Sequence, residues 1–228
     1  AIFGDLELSI LNEMPVGRKP VATAIVLEPQ QAGMWKHVRE QIERGNQVFV
    51  VCPLIDPSDK LGVKSVVEVA REIKKGPLKD VRIETLHGRL KTDEKEVAIN
   101  KFRTGQIDVL VATTVVEVGV DIPNASVMVI MGAQRFGLAQ LHQLRGRVGR
   151  SDIQSYCYLV PEQLSGTSEE RLRAMEKTTD GFKLAQTDLE LRGAGNVFGN
   201  AQSGFADFQL ATPADTDIMK KARDYATE

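Results

Sequence analysis

The chain has few of the residues from which metal sites and disulfide frameworks are built. Its 228 residues include two cysteines, Cys52 and Cys157, and three histidines, and none of these stand at the spacings that bind zinc. Each cysteine lies within an apolar, strand-like run, so we expect buried thiols in a reducing compartment. The sequence predicts no metal site.

Long apolar runs and a strong net charge are also missing. No stretch approaches the ~20 apolar residues of a membrane helix, and no signal peptide opens the sequence. The formal net charge is −2, so a nucleic-acid surface would have to be a local patch. We predict a cytoplasmic protein with no membrane partner.

The sequence lacks a phosphate-binding loop as well. The pattern G-x-x-x-x-G-K-[S/T] does not occur in it, and it offers no convincing acidic pair for Mg²⁺. Asp56 and Asp59 follow an apolar run, but Pro57 and Ser58 between them favour a turn. We therefore expect this chain alone to be inactive in ATP hydrolysis.

From Val21 onward the sequence alternates between strand-like and helix-like segments. The strand-like runs are apolar or alternate apolar with polar residues, and the segments between them repeat apolar residues at helical spacing. This alternation is typical of parallel βαβ units in a doubly wound α/β sheet. The predicted strands are 21–27, 47–55, 81–85, 107–113, 126–130 and 155–160, and the predicted helices cover 34–42, 63–75, 92–104 and 138–144.

Two local details of the helices can be predicted. Val66, Val67 and Ile73 are expected on the buried face of the helix over residues 63–75, because they recur at helical spacing. Thr92 and Ser168 are each followed by acidic residues, which predicts that they cap the helices beginning there.

After Pro161 the strands stop. Residues 164–228 are predicted to form a helical hairpin, then a glycine-rich loop with glycines at 193, 195, 199 and 204, and a last helix over about 215–226. We assign residues 21–163 to the sheet domain and residues 1–20 to a connector from an upstream domain. A trimmed edge strand is the alternative for residues 1–20.

Two segments are expected at the carboxyl end of the sheet, where open α/β sheets bind ligands. The first is "ATTVVEVGVDIPNA" (112–125). Thr113 and Thr114 offer hydroxyls and backbone N–H groups to phosphate, Gly119 allows close approach, and Asp121 adds a carboxylate. A capped turn, in which the aspartate satisfies loop amides, is the alternative.

The second segment is "QLHQLRGRVGR" (140–150), which contains Arg145, Arg147 and Arg150. From Ile122 to Ser151 there are four arginines and no acidic residue, so these charges have no neighbouring carboxylate in the sequence. Guanidinium groups suit phosphate oxygens, either in a nucleotide or in a nucleic-acid backbone. A purely structural role is the alternative.

Together these segments resemble a known family. "VCPLI", "LHGRL", "ATTVVEVGVDIPNA" and "RFGLAQLHQLRGRVGR" are similar to successive motifs of the second RecA-like domain in helicases of the second superfamily. The tail over residues 178–204 resembles the translocation motif shared by the RecG family and the transcription-repair coupling factor. Over its whole length the chain most resembles the RecG family of ATP-dependent DNA helicases, which implies a RecA-like sheet followed by a helical hairpin.

The resemblance implies roles at a nucleotide. Arg147 and Arg150 would reach the γ-phosphate of ATP, which is held with Mg²⁺ mainly by an upstream RecA-like domain. Gln143 would help to sense the nucleotide state, and Gly119 and Asp121 would face the nucleotide across the cleft.

The resemblance also implies contacts with branched double-stranded DNA. His87 alone is also compatible with a packed turn, and Asn196 departs from the family, which often has an acid there. The residues implied to contact DNA, or to couple ATP turnover to its movement, are Thr113, Thr114, His87, Gly88, Arg89, Arg192 and Gln202.

The predicted function is therefore that of the second half of a monomeric DNA helicase that remodels stalled forks and recombination intermediates. Two alternatives remain open at this point. One is the coupling-factor translocase, which RNA polymerase recruits, and the other is a non-enzymatic module that binds nucleotide or DNA.

Overall fold

The computed structural model describes residues 19–53, 63–113 and 122–192. Within them six parallel strands form one sheet in the order β1-β6-β5-β2-β4-β3. The strands are β1 (Ala22–Ile25), β2 (Gln47–Val51), β3 (Ile83–Leu86), β4 (Val109–Ala112), β5 (Ala125–Met131) and β6 (Tyr156–Val160). The helices are α1 (Gln31–Glu43), α2 (Val63–Lys75), α3 (Thr92–Arg103), α4 (Leu138–Arg145), α5 (Gly166–Lys177) and α6 (Gly181–Arg192).

The order of the strands explains why helices cover both faces of the sheet. From β1 through β2 to β3 the chain crosses the sheet in one direction, and α1 and α2 pack on one face. It then returns through β4 and β5 to β6, and α3 and α4 pack on the other face. Because parallel crossovers are right-handed, reversing direction moves the connecting helix to the opposite face. The predicted doubly wound α/β fold is confirmed.

The central strands are buried on both faces, as their continuous apolar runs predict. Every residue of β2 and β4 is buried. Successive residues of β2 point to opposite faces, so that Phe49 and Val51 join one apolar cluster and Val48 and Val50 join the other. The strand predicted over residues 47–55 ends at Val51, and residues 54 and 55 lie outside the described part.

The hairpin of α5 and α6 packs on the same face of the sheet as α3 and α4. Leu172, Met175 and Leu184 are buried in one cluster with Cys157 and Leu159 of β6. The boundary between residues 163 and 164 and the connector over residues 1–20 stay predictions. The glycine-rich loop and the helix predicted over about 215–226 lie outside the described residues.

Three of the predicted helix details are wrong, and two of them concern α2 and α3. The side chain of Val67 is 46% exposed, because it lies about 100° around the helix from the buried Val66. In α3 the N-cap is Lys91, whose N–H donates to Glu94 Oε2 at 2.7 Å, and Thr92 is the first helical residue. The glutamate side chain is long enough to reach back over the first turn, so a threonine cap is not needed.

The predicted cap of α5 is also misplaced. The N-cap is Ser165, and the Ser168 hydroxyl donates to the Ser165 carbonyl oxygen at 2.6 Å. The helix begins earlier because Gly166, with φ at +55°, turns the chain into it.

Candidate nucleotide and nucleic-acid site

At the carboxyl end of the sheet, the structure brings two of the predicted segments side by side. The turn of His87, Gly88 and Arg89 follows β3, and Thr113 follows β4. Leu86 is paired in register with Ala112, and the Thr113 N–H donates to the Leu86 carbonyl oxygen at 3.2 Å. The predicted neighbours therefore occupy adjacent strand ends.

These residues differ in what they expose. The Arg89 side chain is exposed, whereas Thr113 is only 2% exposed. Thr113 Oγ1 and His87 Nδ1 are both buried and have no hydrogen-bond partner in the part of the chain that the structure describes. Such groups are uncommon in folded proteins, so both atoms retain hydrogen-bonding capacity. Thr114, Gly119 and Asp121 lie outside the described residues.

The arginine-rich segment lies at the other end of the sheet. Gly149 sits against Val21 and Ser155, which directly precede β1 and β6, and a Cβ at position 149 would lie 2.7 Å from Val21 Cγ2. The expectation that this segment lies at the carboxyl end is wrong. A crossover helix runs antiparallel to its strands, so the residues after α4 return to the amino end.

The arginine turn, residues 146–150, holds two of the predicted catalytic arginines on the surface. Its backbone continues from α4, with the N–H of Arg147 donating to the Leu144 carbonyl at 3.0 Å. Val148 is fully buried and anchors the turn, while Arg147 is half-buried and Arg150 is exposed. Gln143, on α4, is also exposed. The turn therefore places guanidinium groups on a rigid support.

Arg145 has a different role from its neighbours. It is 3% exposed, and its Nη1 donates to the carbonyl oxygens of Met175 and Thr178, each at 2.8 Å. Its Nη2 is 3.1 Å from His142 Nδ1, so the imidazole nitrogen accepts the hydrogen bond. Burial first, and then the Arg145 charge, lowers the pKa of His142. For Arg145 the structural alternative is therefore correct.

A helical pattern in the sequence could have revealed this. Leu138, Leu141 and Arg145 are spaced by three and four residues, which places Arg145 on the inner face of α4. Its acceptors are backbone carbonyls from the end of α5, which no search for a neighbouring carboxylate would find.

The structure also positions the start of α6 against α4. Asp180 Oδ1 accepts the N–H of Phe182 at 2.9 Å, which caps the helix. A Cβ on Gly181 would lie 2.8 Å from His142 Nε2, so glycine allows α6 to approach this closely. Arg192 is the last residue of α6, and Gln202 lies outside the described residues.

Other kinds of site have little support in the described ranges. No group of three His, Cys, Asp or Glu side chains there could hold a metal ion. Among those same residues, every helix is too short or too polar to cross a membrane. Cys52 and Cys157 are buried as predicted, and burial raises the pKa of each thiol to about 12. Both thiols are therefore protonated and unreactive at neutral pH.

The fold and motifs define the class of the protein. Residues 33–152, just over half of the chain, match the family described as the helicase conserved C-terminal domain, and the chain belongs to that family. Domain 2 of the DEAD-box helicase Mss116p, solved with an RNA duplex, shares the fold, with a TM-score of 0.53 and 18% identity over 74% of this chain and 68% of that one.

More specifically, the chain is similar to RecG. It is 46% identical to the ATP-dependent DNA helicase RecG of Synechocystis over 99% of this chain and 27% of the relative. It is 44% identical to RecG of Thermotoga maritima, over 100% of this chain and 29% of that relative. A structure of RecG bound to a three-way DNA junction is 41% identical and covers 92% of this chain and 26% of its own, with a TM-score of 0.71.

The resemblance to RecG predicted from the motifs is thus confirmed. The chain spans less than a third of the length of these two RecG sequences.

Proposed function

We propose that this chain is the part of an ATP-dependent DNA helicase that contributes arginines to a nucleotide held by a preceding RecA-like domain, and that the whole protein remodels branched DNA. The observation that carries the proposal is the arginine turn, with Arg147 and Arg150 at the surface beside the buried Val148. Similarity to RecG along nearly the whole chain supports the same function.

The arginine turn suits the chemistry of phosphoryl transfer. ATP, when bound with Mg²⁺ mainly by the preceding domain, supplies the phosphoryl group that passes to water. Arg147 and Arg150 would neutralise the charge that develops on the phosphoryl oxygens, which is the role of arginine fingers. Gln143 lies beside them on α4 and would respond to the nucleotide state, and Gly119 and Asp121 would face the same cleft.

The carboxyl end of the sheet would contact DNA. The exposed Arg89 would bind a backbone phosphate, while His87, Gly88, Thr113 and Thr114 would complete the contact. Arg192, the last residue of α6, and Gln202 would couple closure of the nucleotide cleft to movement of the duplex. The proposal includes a monomeric, cytoplasmic protein.

The experiment that tests this is an ATPase assay with branched DNA, using this chain alone and mixed with the separately produced preceding domain. We expect an inactive chain and a DNA-stimulated mixture, and the mixture should lose activity when the chain carries Arg150→Ala. ATP hydrolysis by the purified chain alone would contradict the division of the site between two domains.

The two alternatives predict other outcomes. A coupling-factor translocase would bind RNA polymerase, and a non-enzymatic module would leave the full protein inactive with ATP. The RecG relatives favour the branched-DNA helicase over both.

A further inference from the structure

The two edge strands of the sheet differ in what contacts their outward backbone groups. At β1, the outward N–H of Ile25 donates to Glu176 Oε1 at 3.1 Å, and α5 lies against the strand. A side chain thus occupies a backbone donor that could otherwise pair with another strand. Proteins commonly protect exposed edges by such means.

At the β3 edge α2 and α3 also contact the strand, but no side chain of a described residue is hydrogen-bonded to its outward backbone groups. The carbonyl oxygens of Arg82 and Leu86 accept hydrogen bonds from Val109 and Thr113 on the β4 side. Because parallel strands alternate their bonding direction, the N–H and C=O groups of Ile83 and Thr85 point away from β4. No hydrogen bond from a described residue engages them.

A groove of about 340 Å³ lies along this open edge, between β3 and α3. Leu90 and Ala98 give it an apolar lining, and Val97, 52% exposed, stands at its rim. Its other walls are mainly acidic. Asp93 and Glu94 come from the first turn of α3.

The charge of the groove determines which kind of peptide segment it can bind. Glu84 also lines it, and the one lysine in its lining, Lys101, is 3.7 Å from Glu84. The remaining charge is therefore negative, which disfavours nucleic acid and favours lysine or arginine. Pairing of two β3 strands from two copies of the chain would bring Glu84 side chains of like charge close together, which is unfavourable.

We propose that β3 and the adjoining groove bind an extended, basic peptide segment of a partner protein, which adds to the sheet as a further strand. Its backbone pairs with Ile83 and Thr85, a small apolar side chain enters beside Val97, and flanking lysines or arginines face Asp93 and Glu94. This mode of recognition takes affinity from main-chain hydrogen bonds and specificity from alternate side chains. It does not depend on the helicase activity.

The test uses fluorescence anisotropy with the full-length protein and a short labelled peptide in which lysine and valine alternate. We expect saturable binding that weakens as salt is added, and little binding of a peptide that alternates glutamate with valine. A peptide N-methylated at alternate amides, which cannot pair along the edge, should also bind poorly.

Two matched variants locate the binding. Val97→Arg places a bulky cation at the rim and should weaken binding at least about tenfold. Val67→Arg makes the same change at a valine of similar exposure on α2, and should alter the affinity by less than about twofold. Absence of saturable binding, equal effects of the two variants, or full binding of the N-methylated peptide would each overturn the proposal.

Discussion

The amino and carboxyl ends of the sheet present their polar groups in opposite ways. At the carboxyl end, Thr113 Oγ1 and His87 Nδ1 are buried, and Arg89 is exposed. At the amino end, Arg147 and Arg150 stand at the surface on a turn that a buried valine anchors. The position of a motif in the sheet thus depends on whether it directly follows a strand or follows the crossover helix.

Under the proposed function, the two ligands would bind at opposite ends of one domain. Residues that directly follow strands would contact DNA, and residues that follow α4 would contact the nucleotide.

The largest effect is expected from Arg150→Ala in the full-length protein. Removing a guanidinium that neutralises developing charge should lower kcat for ATP by about 10³-fold or more. Steady-state ATPase assays at saturating DNA measure it, and DNA affinity should change little. Turnover within about twofold of the unmodified protein would exclude Arg150 from the reaction.

Arg145→Ala should instead act on stability. It leaves the buried Met175 carbonyl and the partly buried Thr178 carbonyl without their donor, so we expect a loss of about 3 kcal/mol in the free energy of unfolding. Urea denaturation measures this. Arg71→Ala, at an exposed position on α2, is the control and should cost about 0.5 kcal/mol or less. Equal losses would contradict the structural role of Arg145.

Gly149→Ala separates packing from backbone strain at the amino end. Gly149 and Gly105 have φ of +74° and +73°, but only a Cβ at Gly149 would meet a close neighbour, Val21 Cγ2. We expect Gly149→Ala to cost about 2–3 kcal/mol and Gly105→Ala about 1 kcal/mol. Thermal unfolding measures both. If the two substitutions lower the free energy of unfolding equally, the contact with Val21 does not contribute to the cost of Gly149→Ala.

The smallest effect is expected at the carboxyl end. Arg89→Ala should remove one phosphate contact and weaken DNA binding several-fold. The slope of the logarithm of the binding constant against the logarithm of salt concentration should fall by about one. Titrations of branched DNA at several salt concentrations measure this, while kcat at saturating DNA should stay the same. A large fall in kcat with unchanged DNA affinity would contradict the proposal that the carboxyl end of the sheet binds DNA and the amino end acts on the nucleotide.

The sequence predicts the fold well and the site less completely. The buried central strands appear as continuous apolar runs, because side chains on both of their faces lie in a core. The location of the arginine turn was wrong, since it depends on the course of a crossover helix. Arg145 was grouped with Arg147 and Arg150 although its spacing from Leu138 and Leu141 places it on the inner face of α4, because its acceptors are distant backbone carbonyls that the sequence does not reveal. The roles at the nucleotide and at DNA stay predictions.

The hydrogen bonds of Arg145 have a mechanical consequence. One guanidinium fastens the end of α4 to the corner where α5 ends, and His142 packs against the first residue of α6. These contacts connect the arginine turn, through α4, to the start of α6. We expect that a displacement of the arginine turn rotates α6 as a rigid body. The far end of α6, at Arg192, would then move through a larger distance than the turn.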